Sequence, residues 1–150
     1  MARLSRDDWL REGLHLVARQ GIEAVTIDAL CQLMNVTKGS FYHHVENVAD
    51  FRLAMLDYWE THFTRDFIAA SSEGETPPQQ LDRLVNMVKE TYGSQETAIR
   101  AWAQTDPDAQ AVVARVDQQR LELLGNLLSD IYTDTAAASA MARLFSAALL

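Results

Sequence analysis

Eight consecutive residues from Thr37 to His44, TKGSFYHH, carry the side chains of this 150-residue chain that are best suited to polar recognition. Seven of them are Thr, Lys, Gly, Ser, Tyr or His, and Phe41 is the one large apolar member. Hydroxyl, ammonium and imidazole groups are the donors that proteins direct at phosphate oxygens and base edges. A short helix of this composition makes a poor core element, so we expect it to enter a DNA groove.

The helix that begins the chain is predicted by its end signals. Ser5 and Asp8 fit a capping box, and Leu4 and Trp9 fit the hydrophobic staple that often accompanies one. Gly21 can take the positive φ that ends a helix. Apolar residues between these signals recur at helical spacing and predict one buried stripe of Leu10, Leu14 and Val17.

Two short helices are expected to follow, joined by a tight turn. Thr26 and Thr37 are their predicted caps, and Asn35 is predicted to end the first of them with a left-handed backbone. The inward face of that helix is predicted to carry Ala29, Leu30 and Leu33. Three capped helices so close together are typical of a helix-turn-helix head.

The rest of the chain shows helical periodicity almost throughout, which predicts an all-α fold. Asn47 is the predicted cap of a long fourth helix that ends near residue 70, and further helices are predicted over 77–93, 95–104, 107–132 and 134–150. We therefore expect a DNA-binding head over residues 1–46 and a helical ligand-binding and dimerisation domain over residues 47–150. Because the last helix is still apolar at Leu150, we expect a truncated C-terminus and a dimer partner covering that face.

Charge and composition exclude several classes of protein. The net charge of −8 argues against a nonspecific nucleic-acid binder, although residues 1–45 are neutral, with five basic and five acidic side chains. The single Cys31 excludes an intramolecular disulfide and favours a buried position in a cytoplasmic protein. The first residues lack the apolar stretch of a signal peptide, and Arg143 interrupts the apolar C-terminal segment, so no membrane association is expected.

Metal binding and catalysis are not expected. His43 and His44 are adjacent, so they would point in different directions on a helix, and no acidic or cysteine partner stands four residues after either of them. The chain has no nucleophile elbow and no fixed triad spacing. We predict no enzymatic activity, no cofactor and no metal.

From about Leu10 to Leu56 the sequence resembles the tetracycline-repressor (TetR) family of one-component bacterial regulators. The resemblance rests on the Gly21 turn, Thr26-Ile27, the Leu30/Leu33 face, the VTKGS and FYHHV segments of residues 36–45, and Asn47. It implies that Thr26, Lys38 and Tyr42 hold phosphates, that Thr37, Gly39, Ser40 and His43 face the major groove, and that His44 lies near a phosphate. The chain departs from the family at Asn35, where glycine is common, and at Val48, where lysine is common.

The resemblance also implies a ligand cavity between the fourth and seventh helices. Aromatic, methionine and polar residues in the second half of the chain could line it, and we name Trp59, His62, Phe63, Met87, Arg100 and Trp102 as candidates. The expected function is that of a ligand-responsive repressor that binds a pseudo-palindromic operator as a homodimer. Two alternatives remain: an activator with the same DNA chemistry, and a helical small-molecule-binding or enzymatic protein with a degenerate head.

Overall fold

The computed structural model describes residues 4–72, 76–87, 93–132 and 135–148. Over these residues it is all-α, as predicted, with no strand. The helices are α1 (Arg6–Gln20), α2 (Ile27–Met34), α3 (Lys38–Tyr42), α4 (Val48–Ser72), α5 (Pro77–Met87), α6 (Gly93–Ala103), α7 (Pro107–Ile131) and α8 (Thr135–Ala148), and a 3-10 turn (Ile22–Ala24) follows α1.

Most predicted helix ends lie within two residues of the observed ones. The helix predicted over residues 77–93 is described only as far as Met87, and residues 88–92 and 149–150 lie outside the described residues. No described helix is both long enough and apolar enough to cross a membrane.

The chain divides into two compact units. One consists of Met1–Glu60 with Ser94–Val112, and the other of Thr61–Gly93 with Val113–Leu150. These units group helices by packing, whereas the predicted division between residues 46 and 47 concerns function and stays a prediction.

In the first unit, several of the predicted helix ends are confirmed at atomic detail. The Ser5 Oγ accepts a hydrogen bond from the Asp8 N–H at 3.2 Å, and the Ser5 N–H donates to the Asp8 carboxylate at 2.8 Å. The Ser5 hydroxyl also donates to the Asp8 carboxylate at 2.7 Å, and this bond together with the one from the Ser5 N–H lowers the pKa of the Asp8 carboxyl group. Gly21 has φ 81°, and the Asn47 side chain caps α4 by accepting from the Asp50 N–H at 2.9 Å.

Helices α1 and α4 approach closely at Gly13. A Cβ atom on this residue would lie 2.8 Å from a ring carbon of Phe51 and would also meet the Met55 sulfur. Phe51 and Met55 are themselves fully buried. Glycine is therefore required at this position by the space available, which the sequence pattern does not indicate.

The second unit has its own apolar core. Buried side chains from four helices contribute to it, namely Phe67, Leu84, Val116, Leu124, Leu127, Leu128, Ala138 and Ala142. Arg120 of α7 is also buried, and a hydrogen bond of 2.8 Å runs from the Thr64 hydroxyl to the Gln119 side-chain oxygen. This unit is thus a packed helical body with polar groups inside it.

Gly13→Ala tests the close approach of α1 and α4. We expect it to lower the free energy of unfolding by about 1–3 kcal/mol, since the added methyl group overpacks a closed core. Gly125→Ala is the matched control in α7, because nothing lies within 4 Å of its Cβ position. Helix propensity should make that variant more stable by about 0.5–1 kcal/mol. Urea unfolding measures both, and equal effects would contradict the packing described.

Candidate nucleic-acid interface

Helices α2 and α3 are joined by a turn that Asn35 makes possible. Asn35 has φ 53° and ψ 49°, the left-handed conformation predicted for it, and its N–H donates to the Gln32 carbonyl oxygen at 3.2 Å. The Val36 N–H then donates to the Cys31 carbonyl oxygen at 3.0 Å. Because these bonds satisfy the end of α2 within the turn, the chain can start α3 after only three residues.

Helix α3 is anchored by one side chain. It has five residues, too few to form a stable helix in isolation. The Phe41 side chain is fully buried, with its ring 5.5 Å from that of Trp9 and 5.4 Å from that of Phe51, both at steep interplanar angles. Tertiary packing against α1 and α4 therefore holds α3 in place.

The predicted inward face of α2 was wrong at one position. Leu30 is buried as expected and Ala29 is half-buried, but Leu33 is 48% exposed. The residues that pack inward are Ile27, Leu30, Cys31 and Met34, which follow the i, i+3, i+4, i+7 spacing of a helix stripe. Leu33 is outside this stripe and lies on the solvent side of the helix.

The structure places the candidate DNA-binding side chains of α3 largely in solvent. Thr37, Lys38, Gly39, Tyr42 and His43 are exposed, whereas Ser40 is half-buried. His44 is also half-buried, with its ring 6.5 Å from Trp9 and 5.2 Å from His43. One helix thus presents a polar surface on one side while its apolar residue is buried on the other.

The two threonines predicted as caps behave differently. The Thr26 hydroxyl oxygen accepts from the Ala29 N–H at 3.2 Å, as expected for a cap. Its own O–H can still donate to an acceptor outside the helix. Thr37 occupies the predicted cap position of α3 with the extended backbone of a cap residue, but its side chain makes no capping hydrogen bond. Because Phe41 already fixes α3, the helix does not depend on this cap.

An ion pair connects α2 and α3. The Lys38 Nζ lies 2.6 Å from the Asp28 Oδ1, and the two side chains are 61% and 75% exposed. The hydrogen bond with Asp28 raises the pKa of the Lys38 ammonium group. This pair could not be predicted from the sequence, because the two residues are separated by a turn whose geometry fixes their distance.

Arg52 connects α4 to the segment that precedes α2. Its Nη2 donates to the carbonyl oxygens of Ile22 and Val25, both at 3.4 Å. Val25 is fully buried and directly precedes Thr26, the cap of α2. The guanidinium group therefore ties the start of α2 to α4, a role that no local sequence signal indicates.

The candidate ligand-lining residues are divided between the two compact units. Trp59, Arg100 and Trp102 belong to the first, where both tryptophans are buried. His62 and Met87 belong to the second and are half-buried, and the side chain of Phe63 lies outside the described part of the structure.

One of these candidates has a partner inside its own helix. The Arg100 Nε and Nη2 donate to the Glu96 Oε1 at 3.0 and 2.9 Å, and the Glu96 side chain is only 5% exposed. A buried carboxylate needs such a partner, because burying an unpaired charge is costly.

Arg52→Met tests the link between α4 and the start of α2. We expect the free energy of unfolding to fall by about 1–3 kcal/mol, because the carbonyl groups of Ile22 and Val25 lose the charged donor that they share. The control is Arg65→Met on the same helix, where the side chain is 64% exposed and contacts only its neighbour Asp66 among the ion pairs described. That control should change stability by less than about 0.5 kcal/mol. Equal losses in urea unfolding would show that Arg52 has no special role.

Comparison with known proteins supports the fold described above. No family model matches the sequence. The transcriptional regulator AcuR of Cereibacter sphaeroides is 34% identical over 89 residues, which make up 59% of this chain and 41% of the relative. The match therefore spans about two-fifths of the length of that relative.

Solved structures match over nearly the whole chain. A structure described as a TetR/AcrR family member has a TM-score of 0.81 at 16% identity and covers 93% of this chain and 80% of its own. The regulatory protein TetR from Rhodobacter sphaeroides has a TM-score of 0.78 at 24% identity, with 97% and 87% covered. Each protein named here is a regulator, in agreement with the expectation of no enzymatic activity. The resemblance predicted from the sequence is confirmed at the level of the fold, since the chain has the fold of TetR/AcrR-family transcriptional regulators.

Proposed function

We propose that the chain is a ligand-responsive transcriptional repressor that acts in the cytoplasm as a homodimer on a pseudo-palindromic operator. The observation that carries this proposal is that α3 buries one apolar side chain and exposes polar residues on its other side. Phe41 is fully buried, while Thr37, Lys38, Gly39 and Tyr42 on the same helix are exposed. Such a helix has donors for DNA and is held rigidly enough to place them. The relative AcuR, named as a transcriptional regulator, supports the part of this proposal that concerns transcription.

In the proposed complex, α3 lies in the major groove. Thr26, Lys38 and Tyr42 would donate to phosphate oxygens and set the register of the head, with His44 near a phosphate. A second set, consisting of Thr37, Gly39, Ser40 and His43, would face the base edges. Two heads of a homodimer would enter successive major grooves about 34–36 Å apart.

Release by a small molecule would act through α4. This helix contributes residues to both compact units, and Arg52 ties its first part to the start of α2. A ligand in the body that displaces α4 would therefore displace α2 and α3 as well. Coupling on the order of 1–3 kcal/mol is enough for useful regulation. Trp59, His62, Phe63, Met87, Arg100 and Trp102 remain our candidates for the lining of the ligand site.

Binding of the protein to fluorescently labelled duplexes from the DNA flanking its gene tests this function. We expect tight binding to one such duplex, weaker binding to a random duplex, and a steep loss of affinity as salt rises. Absence of binding to every duplex at low salt would favour a helical small-molecule-binding protein with a degenerate head.

Tyr42→Phe tests the proposed phosphate contact. The variant keeps the edge-on ring contact with Phe41 at 5.6 Å and removes only the hydroxyl group. We expect affinity to fall by a factor of about 3–10, equally on operator and random duplexes, as for the loss of one hydrogen bond to a charged group. Tyr132→Phe at the end of α7 is the control and should bind like the wild type. A loss confined to the operator would mean that Tyr42 reads bases.

Gly39→Ala separates stability from DNA binding. The nearest atom to a Cβ on Gly39 is the Thr37 Oγ1 at 3.7 Å, so the free protein has room for the methyl group. We expect unchanged stability or a gain of up to about 1 kcal/mol, because alanine favours a helix. DNA affinity should nevertheless fall, since the methyl group would hold the α3 backbone away from the groove. Thermal unfolding and fluorescence anisotropy measure the two effects, and unchanged affinity would place Gly39 outside the interface.

A further inference from the structure

The ion pair between Asp28 and Lys38 uses one of the few cations of the proposed DNA-binding surface. Residues 1–45 contain five basic and five acidic side chains, and Lys38 is the only one of the basic five that is located in α2 or α3. The Asp28 carboxylate contacts its ammonium group at 2.6 Å. The cation of α3 therefore already has an anionic partner before any DNA is present.

We propose that Asp28 competes with a DNA phosphate for Lys38 and thereby lowers the affinity of the head for DNA. This inference rests on the proposed function, because it requires that Lys38 contact a phosphate. A carboxylate and a phosphate are alternative acceptors for the same ammonium group, and both form short, charge-assisted hydrogen bonds with it. DNA binding would exchange one acceptor for the other.

Because the ion pair is exposed, Asp28 would weaken the contact of Lys38 with a phosphate without preventing it. With both side chains more than half exposed, water screens the attraction, so Lys38 can leave Asp28 at small cost. Asp28 then remains in the first turn of α2 with its charge uncompensated. If Lys38 binds a phosphate, that charge lies close to the DNA backbone and repels it. The competition for Lys38 and the repulsion by Asp28 both lower the affinity for DNA. A homodimer has two heads, so both effects would occur twice.

The hydrogen-bond chemistry of Lys38 agrees with this description. The pKa of its ammonium group is raised chiefly by the Asp28 side chain, and Tyr42 and the Cys31 thiol raise it further to a smaller extent. The negative charge that stabilises protonated Lys38 in the free protein is therefore that of the Asp28 carboxylate, which a phosphate would replace.

Asp28→Asn tests the proposal against a closely matched control. Asp7→Asn also removes one exposed carboxylate from the second position of a helix in the same unit, so it has the same effect on net charge and helix dipole. Binding to a random duplex of about 30 base pairs is measured at several salt concentrations, since a phosphate contact acts on any sequence. We expect Asp28→Asn to bind about two- to fivefold more tightly per head than Asp7→Asn, which is the range for exposed ion pairs.

A second pair of variants tests whether Asp28 lowers the DNA affinity through Lys38. In a Lys38→Met background, Asp28→Asn should tighten binding much less, because the competition is then absent. An equal gain in both backgrounds would overturn the proposal in favour of general repulsion of the DNA by Asp28. Weaker binding by Asp28→Asn would also overturn it, since it would mean that Asp28 orients Lys38 for its phosphate.

The failure of this inference can be distinguished from that of the proposed function. If the wild type binds DNA but Asp28→Asn binds no more tightly than Asp7→Asn, only the competition is refuted. If the folded wild type binds neither the random duplex nor the flanking duplexes at low salt, the proposed function fails and this inference fails with it. Thermal unfolding of each variant shows that the comparison is made between folded proteins.

Discussion

The burial of Phe41 is the interaction on which the candidate interface depends. A helix of five residues has too few internal hydrogen bonds to persist alone, so its position must be set by contacts with the rest of the unit. Phe41 makes those contacts with Trp9 of α1 and Phe51 of α4. Because two helices hold this one ring, a polar surface can be carried by a segment that contributes only one large side chain to the core.

The same constraint explains why α4 matters to the head. Phe51 packs on Phe41, Met55 and Phe51 occupy the space that Gly13 leaves open, and Arg52 binds the backbone ahead of α2. Apolar packing and polar contacts from successive residues of one helix thus converge on the elements that carry the exposed donors. Any displacement of the first part of α4 would therefore have to break these contacts or move α1, α2 and α3 with it.

Local signals in the sequence were sufficient to predict most of the helices. Caps and turns depend on residues close together in the chain, so Ser5, Thr26, Asn35 and Asn47 could be assigned from their neighbours alone. Leu33 was misplaced because an eight-residue helix offers too few apolar positions to fix its inward face. Thr37 stands at the predicted cap position without a capping bond from its side chain, and the packing of Phe41 against Trp9 holds α3 without it.

The features that the sequence did not indicate are contacts between segments that are apart in the chain. A turn or at least one whole helix separates the partners in each case, namely at Gly13, in the Arg52 hydrogen bonds and in the pair of Asp28 with Lys38. A single sequence gives helix faces and helix ends, but it does not give the angle at which two helices cross. That angle decides which glycine is required and which opposite charges meet.

Cys31 has a consequence for how this head can be observed. It is the only cysteine of the chain, it lies buried on the inward stripe of α2, and burial raises the pKa of its thiol. A thiol in this state reacts slowly with alkylating reagents, because reaction needs both solvent access and the thiolate. The rate at which Cys31 is alkylated therefore measures how often α2 separates from the core. No label needs to be introduced to follow local unfolding of the DNA-binding head.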